Sequence, residues 1–309
     1  MTVNISSPLA IAGSIILIYS TNMVHIMKLQ LTKKQLLAST AINPSVKTWA
    51  IKNWDYLTKV NTPLINVNSS TKTAKGVKLK INTAILYMQP ADKVSTKTLC
   101  AGADLFGCKS DCLISSGQLG MTQAQKAVTK RTLCYLLERD RFFKVLRGEI
   151  CVHDANHGDT LAVRLNGTTD IDFNNFISYF PSIRFYDYTK VFSRVKKNTL
   201  KNYDLTFSGS ANNDKTMTMT ARAIKGGFKT VLAVNTAEAK GEYKVPEKLD
   251  LIPLINMDDT DARFLDPAGS VGVLKRKGSN KLERAQDETK NGFFFNQSNL
   301  AKLTKLVSA

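Results

Sequence analysis

From residue 81 onward the chain repeats one pattern: a short β-branched or aromatic run, a turn, a helical stretch, then another apolar run. The runs recur at intervals of about 20–40 residues, the period of parallel βα units, because two parallel strands need a long crossover between them. Ile81–Met88 reads as a first, buried strand that stops at Pro90. Leu161–Asn166, Ser182–Tyr188, Tyr203–Ser208 and Lys229–Val234 read as the next four, with Leu251–Ile255 and Ser270–Leu274 as a sixth and seventh. Helices are expected from Thr122 to about Arg147, over Asp172–Phe180, over the basic stretch 190–201, and over 216–225, closed by Gly226-Gly227. In the first of these, Thr122 and Gln125 have capping-box spacing. Its apolar stripe leaves Lys126, Lys130, Arg139 and Arg147 largely outside. The expected fold is α/β, a full or partial parallel (β/α) barrel over residues 81–276. A doubly wound dinucleotide-binding sheet is disfavoured, since no Gly-x-Gly-x-x-Gly follows the first strand. No phosphate loop of the Gly-x-x-x-x-Gly-Lys-Ser/Thr type occurs either.

The flanks differ in composition. Residues 1–26 are nearly uncharged, and Met27 opens a lysine-rich segment, so the leading stretch reads as an arm or an alternative start. Residues 1–80 are expected to form a small basic N-terminal region packed on the barrel, and 277–309 a polar extension. The net charge is +18, from 43 Lys and Arg against 25 Asp and Glu. Residues 1–99 carry 12 Lys and no Arg against only Asp55 and Asp92. Such an excess favours contact with nucleic acid or another polyanion, although a lysine-rich proteome would produce it too. Five cysteines in 309 residues are too few, and odd in number, for a secreted disulfide scaffold. The only long apolar run, Leu9–Tyr19, is eleven residues, against about 20 needed to cross a bilayer. The expectation is a soluble, reduced, cytoplasmic protein with no membrane partner.

Chemistry in βα barrels sits where the strands end. After the first strand come Cys100, Cys108 and Cys112, three thiols within thirteen residues that also hold Gly102 and Gly107. Soft thiolates converging from one loop suit zinc or an iron–sulfur cluster. A closed zinc site would need a fourth ligand, for which Cys151, His153 and His157 are available. After the second strand, Arg164-Leu165-Asn166-Gly167-Thr168-Thr169-Asp170 offers backbone N–H groups and an acceptor to a polar ligand; a plain turn with Asp170 capping the next helix is the alternative. On the third strand, alternation places Phe185, Asp187 and Thr189 on one face and Tyr186, Tyr188 and Lys190 on the other. A carboxylate buried there needs a partner, so Asp187 is a pocket candidate, held by Arg164 or by a ligand. The fourth strand ends at Ser208, followed by Gly209 and Ser210. No Gly-x-Ser-x-Gly elbow or His-Glu-x-x-His pair appears, and Cys134 reads as core.

The ordered set Cys100…Gly107-Cys108-x3-Cys112, VRLNGTTDI, FYDYTK and NYDLTFS resembles an uncharacterised family of phage-encoded proteins, over about residues 80–210. More distantly, the layout resembles the radical S-adenosylmethionine (SAM) superfamily, in which a three-cysteine loop follows the first strand of a partial barrel. That resemblance implies that Cys100, Cys108 and Cys112 hold a [4Fe-4S] cluster. It also implies that Asn166, Gly167 and Asp170 take the second-strand role in binding SAM, with Thr189 and Ser208 lining the pocket. The spacing departs from the superfamily's usual C-x3-C-x2-C, and Asp111 stands where an aromatic is usual. The expectation is a phage-type iron–sulfur enzyme in the host cytoplasm, with nucleic acid or a nucleotide as first substrate candidate. A non-catalytic nucleic-acid-binding protein with structural zinc is the alternative.

Overall fold

The computed structural model describes residues 28–109, 112–115, 117–235, 246–276 and 292–309. The uncharged stretch 1–26, Asp111 and residues 277–291 of the expected polar extension lie outside the described residues. Among the described residues the architecture is mixed α/β, built on one nine-stranded sheet in the order β1-β2-β3-β4-β5-β6-β9-β8-β7. The strands are β1 (Ile65–Val67), β2 (Asn82–Leu86), β3 (Leu161–Arg164), β4 (Arg184–Thr189) and β5 (Tyr203–Ser208). They continue with β6 (Thr230–Val234), β7 (Lys248–Leu249), β8 (Ile252–Asn256) and β9 (Val271–Lys275). From β2 to β6, then β9 and β8, all neighbours are parallel; β1 and β7 add antiparallel edges. The short strands β1 and β7 were not legible as strands. Among the described residues the sheet stays open, so a closed barrel is not formed.

Strand alternation gives the sheet two unlike faces. On one, Ala84, Leu86, Val163, Leu165, Phe185 and Leu205 pack under α5 (Thr122–Leu137) and α6 (Arg139–His157), through Leu133, Phe142, Leu146 and Ile150. The N-terminal helices α1 (Lys33–Ala38), α2 (Pro44–Lys52) and α3 (Trp54–Lys59) join that core through Leu36, Ala50 and Leu57. The other face is partly filled by the connection between β8 and β9, whose Ala262 and Phe264 pack on Ile81, Ala162 and Tyr186. Arg263 is fully buried there, and its carbonyl accepts from Lys229 Nζ at 3.0 Å. Lys75, in α4 (Thr71–Gly76) just before β2, reaches Asp258 O after β8 at 3.4 Å, so the sheet curls strongly without pairing its ends.

Several local expectations change. The long helix expected from Thr122 is two, broken at Glu138, whose ψ of 50° is not helical. Its N-cap is Met121, without a side-chain cap; Gln125 instead donates to Ile114 O and Leu119 O, tying the end of the cysteine loop to the helix. Lys130, expected outside, is buried and donates to the carbonyls of Tyr56 and Val60. The short helices α7 (Asn174–Ile177) and α8 (Phe192–Lys197) fall where helices were expected. The helix α9 (Asp214–Lys225) is capped by a reciprocal Asn213–Thr216 box. Its partner is the C-terminal helix α10 (Gln297–Ser308), which buries Leu300 and Leu303 against it. The end of the expected polar extension is therefore a core element. No described helix is long and apolar enough to cross a membrane.

Candidate functional site

The unfilled part of the curled face is a cavity of about 970 Å3 at the C-terminal ends of the strands. Cys100, Cys108 and Cys112, Asn166, Gly167, Asp170, Thr189 and Ser208 all line it. The cysteine loop is held by backbone turns, with Ala103 N donating to Cys100 O and Phe106 N to Gly102 O, both at 3.0 Å. Gly102 is required where the loop crosses β4, because a Cβ would stand 2.8 Å from Lys190 Cβ. Asp170 N donates to Leu99 O at 3.0 Å, which stitches the loop to the turn after β3.

Burial pushes all three thiols up, Cys100 to about 12; Cys108 and Cys112 raise Cys100 further, and Cys112 raises Cys108. Lys190 extends among them from the end of β4. Burial lowers its pKa, while Cys108, Asp170, Cys100 and Cys112 favour its charged form. Its Nζ donates to Ser208 Oγ at 2.9 Å and lies 3.9 Å from the centre of the Phe293 ring. Among the described residues, no three His, Cys, Asp or Glu side chains are placed to hold a single metal ion. Cys151, His153 and His157, the fourth-ligand candidates, lie on α6 and do not line the cavity. The three half-buried thiols share one wall of the cavity.

The turn after β3 is built by its own side chains. Asn166 Oδ1 accepts from Ile171 N at 2.8 Å and from the Thr169 hydroxyl at 3.0 Å, and Nδ2 donates to Ile171 O. Gly167 N donates to Leu86 O, an approach that a Cβ would block at 2.7 Å from both Ile85 Cγ2 and Tyr87 Cδ1. Asp170 does not cap the next helix; it accepts from Lys190 N and pairs with Arg194.

Asp187 does not line the cavity either. The alternation on β4 is as expected, but Tyr188 and Lys190 turn toward the cavity, and Asp187 lies behind with Phe185; Thr189, on the same face as Asp187, borders the cavity at the strand end while its hydroxyl accepts from Val191 N at 3.0 Å. Its carboxylate accepts from Asn166 N (2.8 Å), Asn166 Nδ2 (3.1 Å) and the Tyr203 hydroxyl (3.0 Å), with Arg164 Nε at 4.0 Å. Burial outweighs these partners and lifts it to about 6. It is a positioning residue for the Asn166 turn.

Sequence reasoning missed Arg131, Tyr87, Asp261 and Arg276, which also line the cavity. Arg131 sits mid-helix and Asp261 on a connection from the far side of the sheet, so neither had a local signal.

The sequence model of the gene product 88 family matches residues 56–297, a stretch that holds every strand and the whole cysteine loop. No curated protein and no solved structure matches the chain. The match covers well over half the sequence, and the chain belongs to the gene product 88 family of phage proteins.

Proposed function

We propose that this protein is an iron–sulfur enzyme of radical-SAM-like design, with Cys100, Cys108 and Cys112 as ligands of a [4Fe-4S] cluster and SAM as co-substrate. One observation carries the reading: the three thiols of the loop after the first parallel strand share the wall of the large cavity where the parallel strands end. The sequential order β2 to β6, then β9, supports a partial-barrel frame around that cavity. When bound, the cluster supplies the electron that opens carbon-radical chemistry on SAM. The chain's own contribution is electrostatic and steric. Lys190 sets a positive charge beside the thiolates and offsets part of a cluster's negative charge. The Asn166–Asp170 turn, Thr189 and Ser208 form the polar side of the wall, and Leu113, Leu119 and Phe294 the apolar side.

Protein purified without oxygen should be brown and carry iron and acid-labile sulfide near four of each per chain. Cys108→Ala should lose both. Stoichiometric zinc without sulfide after reconstitution would overturn the reading in favour of a structural zinc site. For the surface we propose a polyanion, with nucleic acid as first candidate: Lys33, Lys34, Lys52, Lys59, Lys75 and Lys78 are exposed on the N-terminal elements. Each phosphate neutralised should steepen log K against log salt by about 0.9 for duplex DNA.

A further inference from the structure

We infer that the part of the cavity beside β1 and α5 is an anion subsite, in which Arg131 and Arg164 take a phosphate or carboxylate group of the substrate. Both arginines line the cavity, and both are largely enclosed by protein. Arg131 is 5% exposed, and its Nε donates to Pro63 O at 2.8 Å. The charge of Glu149 acts on Arg131, but the Glu149 carboxylate accepts the amides of Leu64 and Ile65, and Arg131 itself lines the cavity. Arg164 Cζ stands over the Tyr188 ring, 4.8 Å from its centre, and Nη1 donates to Asp261 at 2.9 Å. Its Nη2 is left for a ligand. Tyr87 stands within the field of both arginines, and it and Ser70 line the cavity there, giving the subsite an aromatic and hydroxyl-bearing side.

The charge inventory points the same way. Five basic residues line the cavity, Arg131, Arg164, Lys190, Lys275 and Arg276, against Asp170 and Asp261. Both acids are already engaged: Asp170 pairs with Arg194, and Asp261 accepts from Arg164 and from the Tyr186 hydroxyl. Buried guanidinium groups are costly without an anion, and their planar fork suits phosphate and carboxylate alike. The role of substrate site rests on the enzyme reading above; the binding of an anion does not.

The test is calorimetric titration of the full chain, iron-free and iron-reconstituted, with inorganic phosphate, adenosine monophosphate, adenosine and succinate. A charged probe should bind one to one, and adenosine at least ten-fold more weakly than its monophosphate if phosphate is the group recognised; preference for succinate would assign carboxylate. Arg131→Gln should weaken the charged probe ten-fold or more, Arg131→Lys less, and Lys225→Gln, an exposed cation outside the cavity, not at all. Should Arg164→Gln fail to fold, Arg164→Lys keeps the Asp261 pair and still loses the fork. The inference is overturned if no charged probe binds, if Arg131→Gln leaves affinity unchanged, or if Lys225→Gln weakens it equally. Iron-free protein that binds phosphate through Arg131 but never builds a cluster would keep the subsite and remove the enzyme reading. A brown protein indifferent to every anion would do the reverse.

Discussion

Replacing Asp187 by Asn should remove a pH dependence from the protein's stability. Asp187 is 1% exposed, and burial lifts its carboxyl from 3.8 to about 6 despite the donors from Asn166 and Tyr203 and the charge of Arg164. The folded state therefore binds this proton more tightly than the unfolded chain does. Between about pH 4 and pH 6 the folded protein holds more protons here, so stability falls as pH rises through that window. A shift of about two units corresponds to about 3 kcal/mol, with the folded state weaker at pH 7 than at pH 4 by that amount from this group alone. Asn carries no such term. It brings a separate, pH-independent cost, because its Nδ2 meets Asn166 Nδ2, donor against donor, for about 1–3 kcal/mol. Urea unfolding of both proteins from pH 4 to 7.5, followed by the fluorescence of Trp49 and Trp54, measures the difference. The variant should gain on the wild type by about 3 kcal/mol across the window. A difference that stays constant within about 0.5 kcal/mol would show that Asp187 is already fully ionised at pH 4, and would refute the reasoning.

Gly167→Ala should cost about 1–3 kcal/mol, because the new Cβ meets Leu86 O at 2.8 Å and a backbone carbonyl cannot step aside; an unchanged melting temperature would count against this. Glu149→Ala should cost about 2–5 kcal/mol by leaving the Leu64 and Ile65 amides buried and unpaired, read as a fall in the denaturant midpoint. Phe295→Ala should cost about 3–5 kcal/mol, since the ring is fully buried beside β6, and should speed amide exchange in Gln297–Ser308 ahead of the rest of the chain.

The parallel strands were legible in the sequence because each is a short β-branched or aromatic run bounded by a turn, a signal carried within eight residues. The cysteine loop and the turn at Asn166–Asp170 were legible for the same reason: their composition marks them, and a parallel sheet brings successive strand ends to one rim. The break at Glu138 was not legible, because both flanking helices continue a helical pattern and only their packing separates them. Nor was the burial of Lys130, which depends on carbonyls some 70 residues earlier in the chain. Asp187 marks the division most clearly. Alternation along β4 determined from sequence alone that Asp187 and Tyr188 face opposite ways. Which of them meets the cavity was decided by the direction in which the sheet curls. That direction is set by the helices packed behind Phe185 and by the β8–β9 connection filling the face of Tyr186. Both are contacts between segments far apart in the chain, and no local pattern encodes them.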